Sequence, residues 1–300
     1  MSKHSLSILL LSFMLCHTAF ANDSSFGDDN GTITLKYQPD ISMDKESLFI
    51  SEEKIEVDYV FTNNGDQDLE VPIAFPMPPI YFGMSDHNEI ENFQLWVDGQ
   101  PQKTKHQLVV LLDGRVDITE KMAATGWSVD DVASFLESDE LPPGKKPLPG
   151  EWFDENHQPR FTMSNYFTWQ QKFPAGKPVS IRHAYTPSAT SGVPQPAAYI
   201  IENYEKESCL DRTTKLSIQK RETEIGVSWA NLRYILVTAN NWRGAIKDFH
   251  LTIKKQEATD LVSLCFDGDL QKTSPLTFEF RQKNFKPSHD LNLLFIRKPS

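Results

Sequence analysis

The chain has 300 residues and a formal net charge of −11 at pH 7. An acidic chain lacks the basic face that nucleic-acid binding requires, and an anionic membrane surface would repel it. These totals argue against a nucleic-acid-binding protein and against a peripheral protein of anionic membranes. The length exceeds that of one typical domain, so more than one structural unit is expected.

The first residues have the pattern of a secretory signal segment. Lys3 gives a short basic start, an apolar run extends from Leu6 to Leu15, and small residues at Ala19 and Ala21 suit a signal peptidase. Cleavage is predicted after Ala21, which makes residues 1–21 the signal peptide. No later run approaches about 18 apolar residues, so no membrane span is predicted in the mature chain. We therefore predict an exported protein, with the periplasm as the first assignment and full secretion as the alternative.

Alternation of apolar and polar residues predicts two strands in the next part of the chain. Every second residue is apolar from Ile55 to Phe61, and the same pattern extends from Leu69 to Phe75. Asn64-Gly65 readily takes positive φ, so the two strands are predicted to form an antiparallel hairpin. Pro72 has no backbone N–H, which predicts that the second strand is an edge or contains a bulge.

Further short strands follow, with turn signals between them. The alternating segments are "FQLWVDGQPQ", "NYFTWQQKFPAGKPVSIRHAYTPS", "RYILVTANNWRGAIKDFHLTIKK", "LTFEFR" and "DLNLLFI". Many short strands separated by turns are typical of a sandwich or a barrel. The sequence therefore predicts a mainly β protein.

One region, residues 117–150, has a helical pattern instead. Ser128 and Asp131 resemble a capping box, and an apolar stripe at helical spacing follows them. We predict a helical hairpin inserted between strands. It either covers part of a sheet or serves as a lid or a docking surface.

The second half of the chain contains a linker signal and two cysteines. The stretch at 186–198 is the best linker candidate by its Ser, Pro and Gly content. We predict a first β domain at 22–190 and a smaller β domain at 191–300. After signal removal only Cys209 and Cys265 remain, and an even count in an exported chain favours a disulfide between them. Two free buried thiols are the alternative.

Several stretches together resemble the bacterial family known as domain of unknown function 4424. They are "ANDSS", "ISMDKESLFIS", "VDYVFTNNGDQDLEVPIAFPMP", "FTWQQKFPAG", "HAYTPS", "YILVTANNWRGAIKDFHLTI", "LVSLCFDG" and "NFKPSHDLNLLF". They extend in one order over nearly all of residues 22–296. The resemblance implies an exported envelope protein with an immunoglobulin-like antiparallel β-sandwich. It implies no activity, and it gives no catalytic or ligand residues.

Candidate catalytic groups are few. The segment "GVSWA" around Ser228 imitates a hydrolase nucleophile motif, but the residues after it predict a strand and not a helix. His183 alternates with Val179 and Ile181 onto an apolar face, which favours a core histidine over a ligand. Neither a metal site nor a cofactor is predicted, because the histidines are scattered and form no ligand motif.

The binding candidates lie in and beside the helical insertion. Trp152 is close in sequence to Asp154 and Glu155, and Trp127 belongs to the same region. Exposed aromatic rings stack on sugars or anchor a protein partner. The alternative is that these rings pack the insertion onto the sheets.

The preferred functional hypothesis is a non-catalytic exported β-sandwich protein that binds another envelope component, either a protein or a glycan. The first alternative is a hydrolase of cell-wall or extracellular carbohydrate that uses carboxylates of Glu151, Asp154 and Glu155. The second alternative is a purely structural envelope protein.

Overall fold

The computed structural model describes residues 23–29, 32–80, 91–187, 190–191 and 193–298. The predicted signal segment and its cleavage point after Ala21 lie outside these residues. None of the helices described combines the length and the hydropathy that a membrane span requires.

Strands dominate the described residues, so the fold is mainly β, as predicted. The strands are β1 (Ser24–Asp29), β2 (Thr32–Lys36), β3 (Ile41–Ile50), β4 (Ile55–Asn63), β5 (Leu69–Pro76), β6 (Glu91–Val97), β7 (Gln100–Gln102), β8 (Lys105–Leu112), β9 (Val116–Asp117), β10 (Phe161–Phe173), β11 (Pro178–Thr186), β12 (Thr190–Ser191), β13 (Trp229–Tyr234), β14 (Ile246–Lys254), β15 (Leu261–Ser263), β16 (Gln271–Lys272), β17 (Thr277–Phe285) and β18 (Leu291–Ile296). The α-helices are α1 (Thr119–Thr125), α2 (Val129–Ser138), α3 (Ala197–Tyr204) and α4 (Arg212–Gln219). Short 3-10 helices are present at Gly150–Trp152 and Val237–Asn241.

The largest sheet has eight strands in the order β16-β17-β14-β3-β4-β11-β6-β7. Its neighbouring strands are antiparallel, except that β14 is parallel to β3. Strand β14 follows the predicted boundary at residue 190, whereas β3 precedes it. One sheet therefore extends over both predicted domains, and the division into 22–190 and 191–300 stays a prediction.

Two smaller sheets cover one face of the large sheet. Their strand orders are β2-β1-β5-β10-β8-β9 and β12-β13-β18-β15. Val57 and Phe61 of β4 belong to a hydrophobic cluster that also contains Ile73 of the six-stranded sheet and Leu232 of the four-stranded sheet. Burial of apolar area between facing sheets is the main stabilising contribution in such a layered fold. The other face of the large sheet bears exposed polar side chains, such as that of Asp58.

The hairpin predicted at Asn64-Gly65 is wrong. Strand β4 pairs with β3 and β11, whereas β5 pairs with β1 and β10 in the other sheet. Neither Asn64 nor Gly65 has the positive φ that a tight hairpin turn needs. Instead, the buried Asn63 side chain donates hydrogen bonds to the carbonyl oxygens of Gln67 and Phe173, at 2.8 and 2.9 Å. These bonds fix a loop that leads the chain from one sheet to the other.

The helical insertion is present where it was predicted. Ser128 caps α2, because its Oγ accepts a hydrogen bond from the Asp131 N–H at 3.0 Å. The Asp131 carboxylate in turn accepts from the Ser128 N–H at 2.8 Å, which completes the capping box. Met122 of α1 and Val132 of α2 join a second hydrophobic cluster with side chains of β8 and β10. The insertion therefore packs onto the six-stranded sheet.

Two further helices were not predicted from the sequence. Ile200 of α3 and Ile218 of α4 pack with Trp229 of β13 in a third hydrophobic cluster. Each helix has only 8 residues, which is too short for a clear helical period. The connection between them contains Cys209, which forms the predicted disulfide with Cys265 after β15.

Buried tyrosines make the fold sensitive to alkaline pH. Burial raises the pKa of Tyr166 from its ordinary value of 10.0 to about 12, and burial raises the pKa of Tyr185 well above its ordinary value. The unfolded chain therefore loses these protons at a lower pH than the native protein does. We expect the stabilising contribution of Tyr166 to be complete below about pH 10 and to be lost as the pH rises to about 12.

Urea unfolding at stepped alkaline pH, with tyrosinate absorbance followed in parallel, measures this loss. The matched control is Tyr166→Phe, which keeps the ring and removes the titrating hydroxyl. Its stability should fall less steeply over the same pH range. Equal slopes for the two proteins would contradict the assignment.

Candidate functional site

The open face of the eight-stranded sheet aligns side chains from four neighbouring strands. Ser47 of β3 pairs with Asp58 of β4, and Asp58 pairs with Arg182 of β11. Arg182 pairs with Trp96 of β6. Directly opposed residues in a sheet project from the same face, so these four form a row across the strands.

A β-bulge places Lys45 beside this row. The pairing of β3 with β4 shifts register between Met43 and Lys45. Met43 and Glu46 are both buried, so the extra residue returns the chain to the open face at Lys45 and Ser47. Asp44 holds the bulge in place, because its carboxylate accepts a hydrogen bond from the Ser42 hydroxyl at 2.7 Å.

Arg182 is the centre of the site. Its guanidinium forms an ion pair with Glu56, and its Nε lies 3.9 Å from Oδ1 of Asp58. The Cζ atom of Arg182 also lies 5.3 Å from the centroid of the Trp96 ring, in a cation–π contact. Lys54 contacts Glu56 from the other side. These partners hold an exposed cation in one position.

The carboxyl groups beside Arg182 differ in their titration. Burial raises the pKa of Asp58, and the nearby positive charge of Arg182 opposes that effect. Burial also acts to raise the pKa of Glu56, but the hydrogen bond from Lys54 and the charge of Arg182 together hold it below its usual value. Lys45 attracts Asp58 electrostatically but forms no ion pair with any residue in the described part of the chain.

These side chains surround a cavity of about 460 Å³. Its lining includes Lys45, Ser47, Asp58, Trp96, Ser180 and Arg182. A volume of this size lies within the range of small-molecule sites, roughly 300 to 1,000 Å³. The cavity offers two cations, one carboxylate, two hydroxyls and an aromatic ring.

His183 follows Arg182 on β11 and points to the opposite face. The imidazole is fully buried, which agrees with the prediction of a core histidine. Its Nε2 lies 3.4 Å from Oδ2 of Asp23, which is also fully buried. Burial raises the pKa of Asp23, and the neighbouring His183 acts in the opposite direction.

Four aromatic rings surround the His183 imidazole. Their centroids lie between 4.9 and 5.7 Å from that of His183, and the rings are those of Tyr59, Phe75, Phe93 and Trp169. Three of these contacts are edge-to-face, and such contacts add to the stability given by burial alone. The side chain beneath the cavity therefore belongs to the core, and it anchors the strand that presents Arg182.

The structure separates the residues predicted as a binding cluster. Trp127 and Trp152 are buried in the cluster beneath the helical insertion, and the indole of Trp127 donates a hydrogen bond to the Lys146 carbonyl at 2.9 Å. Asp154 and Glu155 are exposed. Oδ1 of Asp154 accepts hydrogen bonds from two backbone N–H groups of its own loop. A binding role for these residues stays a prediction.

A second cavity, of about 600 Å³, lies beside Ser228. Ser228 immediately precedes strand β13, which is the strand predicted after "GVSWA". Arg297 lines this cavity, and its guanidinium is bound to the carboxylate of Glu52. Among the residues that the structure describes, no group of three or more His, Cys, Asp or Glu side chains is placed to hold a metal ion.

The sequence patterns missed the cavity on the open face. Alternation assigns Glu56 and Asp58 to the polar face of a strand, but it does not say which strands lie on either side. The available signal was a lone tryptophan on a predicted strand, within "FQLWVDGQPQ". Its arginine neighbour comes from a strand more than eighty residues further along the chain.

The fold and the site define a mainly β protein with a polar cavity, bordered by one indole ring, on the open face of its largest sheet. The chain belongs to the family described as domain of unknown function 4424, whose model matches residues 21–294. The predicted family membership is therefore confirmed. No curated protein sequence matches the chain.

Solved structures show distant likeness. A protein of Legionella pneumophila described as a candidate nutrient-binding protein is 14% identical, with a TM-score of 0.49, over 93% of this chain and 72% of that one. An M1 zinc metallopeptidase from Deinococcus radiodurans is 9% identical, with a TM-score of 0.30, over 87% of this chain and 43% of that one. The chain thus spans less than half of the peptidase.

Proposed function

We propose that the protein is an exported, non-catalytic binding protein of the cell envelope, with the periplasm as its compartment, and that its binding surface is the cavity around Arg182 and Trp96. The observation that supports this most directly is the convergence of charged, hydroxyl and aromatic side chains from four strands on one cavity. Small-molecule sites combine a few well-placed polar groups with an aromatic wall.

The arrangement of the groups favours binding over catalysis. Arg182 is already held by Glu56, Asp58 and Trp96, so little side-chain entropy is lost when it contacts a ligand. The hydroxyls of Ser47 and Ser180 lie on extended strands and not on the sharp turn that presents a hydrolase nucleophile. The disulfide supports an oxidising compartment. The face-to-face and mostly antiparallel sheets support an immunoglobulin-like sandwich as the architectural class.

Tryptophan fluorescence provides the test, because Trp96 is the one tryptophan of six that is not buried. Acrylamide quenches exposed indoles preferentially, so most of the quenching should come from Trp96. We expect a fractionated envelope extract to contain material that protects wild-type fluorescence from acrylamide. The Trp96→Phe variant should show no such protection.

Immobilised wild-type protein should retain the same fractions. An immobilised double variant, Trp96→Ala with Arg182→Ala, should not retain them. Glu120→Ala, on helix α1 of the insertion, is the matched surface control and should retain them as the wild type does. Protection from quenching that persists in the Arg182→Ala variant, or no protection by any envelope fraction, would refute the proposed surface.

A further inference from the structure

We propose that the ligand of the open-face cavity is a short saccharide that bears an acid group, bound with its carboxylate against Lys45 and with one sugar ring against Trp96. This inference rests on the proposed function and names the ligand class of the same site.

Lys45 is the cation that an acidic ligand can reach most easily. Arg182 is already paired with Glu56, so a ligand anion at Arg182 would compete with an existing ion pair. Lys45 is exposed, lines the cavity and forms no ion pair within the described residues. An ammonium group and a carboxylate form a charge-assisted hydrogen bond, which is stronger than a neutral one. The unpaired cation therefore favours an anionic group in the ligand.

The Trp96 side chain favours a sugar ring as the second part of the ligand. Arg182 covers the indole ring from one side, which orients it, and the half-buried ring borders the cavity. Indole rings give a flat surface on which an apolar face of another ring packs, and they supply much of the energy at binding sites. A sugar ring presents such a face while its hydroxyls remain at the edge.

The remaining lining groups suit hydroxyl groups. The Asp58 carboxylate accepts hydrogen bonds, whereas the Ser47 and Ser180 hydroxyls both donate and accept them. A ligand composed only of phosphate or of a metal would leave these groups and the indole without a role. A polyhydroxylated ligand uses all of them.

The length of the cavity favours a short saccharide chain over a single ion or a folded protein partner. Four neighbouring strands span about 14 Å at the usual strand spacing. The cavity of about 460 Å³ lies along that row. A saccharide of a few rings fits such a row, with its long axis across the strands and its acid group towards Lys45.

Calorimetry with a pair of matched disaccharides tests the inference. The probes are digalacturonic acid and the neutral galactose disaccharide of the same linkage, which differ only in the acid groups. We expect wild-type protein to bind the acidic probe about fivefold more tightly, because an exposed ion pair makes a contribution of at most about this size. The preference should decrease with added salt, as expected for an exposed ionic contact.

Variants separate the two contacts. Lys45→Met should reduce the preference for the acidic probe to about twofold or less while the neutral probe binds as before. Trp96→Ala should weaken both probes. Lys283→Met is the matched control: Lys283 is an exposed lysine on β17 of the same sheet, paired with Asp248, and does not line the cavity. Its affinities for both probes should equal those of the wild type.

The outcomes distinguish this inference from the proposed function. Equal binding of the two probes by wild-type protein would contradict the claim that the ligand bears an acid group. The cavity would then remain a glycan-binding surface. A different result would be that neither probe binds while an envelope protein is cross-linked to a photoreactive residue at position 47, in place of Ser47. It would contradict a saccharide ligand and support the cavity as a binding surface for a protein. Binding of both probes that is unaffected by Trp96→Ala would place the sugar elsewhere and overturn the inference.

Discussion

Replacing His183 with alanine is expected to lower the free energy of unfolding by about 3 to 5 kcal/mol, because the change removes the neighbour of the buried Asp23 carboxyl group together with many packing contacts. The Nε2 of His183 lies 3.4 Å from the Asp23 carboxylate, and both side chains are fully buried. Removal of the imidazole also leaves a space among four aromatic rings, which adds a cavity term. Urea unfolding at neutral pH measures the loss.

Arg182→Ala is the matched control, since Arg182 precedes His183 on the same strand and faces solvent. Its ion pairs are exposed, so we expect a loss below about 1 kcal/mol. A double-mutant cycle with Asp23→Asn and His183→Phe isolates the pair. If the coupling energy were below about 0.5 kcal/mol, the two residues would be independent and the pairing would be contradicted.

The same pair explains why the first described strand belongs to the core. The indole N–H of Trp242 donates a hydrogen bond to the Asp23 carbonyl at 2.7 Å, and the Asn241 side chain donates to the Ser24 hydroxyl at 2.9 Å. Trp242 follows the predicted boundary at residue 190, whereas His183 precedes it. Asp23 therefore connects the start of β1 to segments on both sides of that boundary.

Structural features that depend on residues close together in the sequence were predictable from it. The alternation on β4 and β11 gave the correct buried faces, including that of His183, and the capping box of Ser128 gave the correct start of helix α2. Both signals depend on contacts between near neighbours in the chain. They require no knowledge of which strands pair.

Pairing across long sequence separations was not predictable in this way. The parallel pair of β3 and β14 joins segments about two hundred residues apart, and a single sequence has no local signal for it. At Asn64-Gly65 the local turn preference was overridden, because the Asn63 side chain is satisfied by the Phe173 carbonyl of another strand. The cavity beside Arg182 depends on two such pairings, of β4 with β11 and of β11 with β6, so its residues could not be grouped from the sequence.

Reduction of the Cys209–Cys265 disulfide is expected to lower the free energy of unfolding by about 4 kcal/mol, since the bond closes a loop with a sequence separation of 56 residues. In the chain-entropy account, most of this effect comes from the greater freedom of the reduced, unfolded chain. Cys209 lies on the surface, so a reductant should reach the bond without prior unfolding. Thermal melts before and after reduction, with thiols counted by labelling, measure the change.

The loss should be concentrated around the helices that the bond attaches to the four-stranded sheet. Ser263 also contacts this connection, through a hydrogen bond of 2.8 Å to the Ser208 carbonyl. Amide exchange in α3 and α4 should therefore accelerate on reduction more than exchange in β4 and β11. The double variant Cys209→Ser, Cys265→Ser is the control, and its melt should match that of reduced wild type and not respond to reductant. An unchanged wild-type melt after confirmed reduction would show that the bond contributes little to stability.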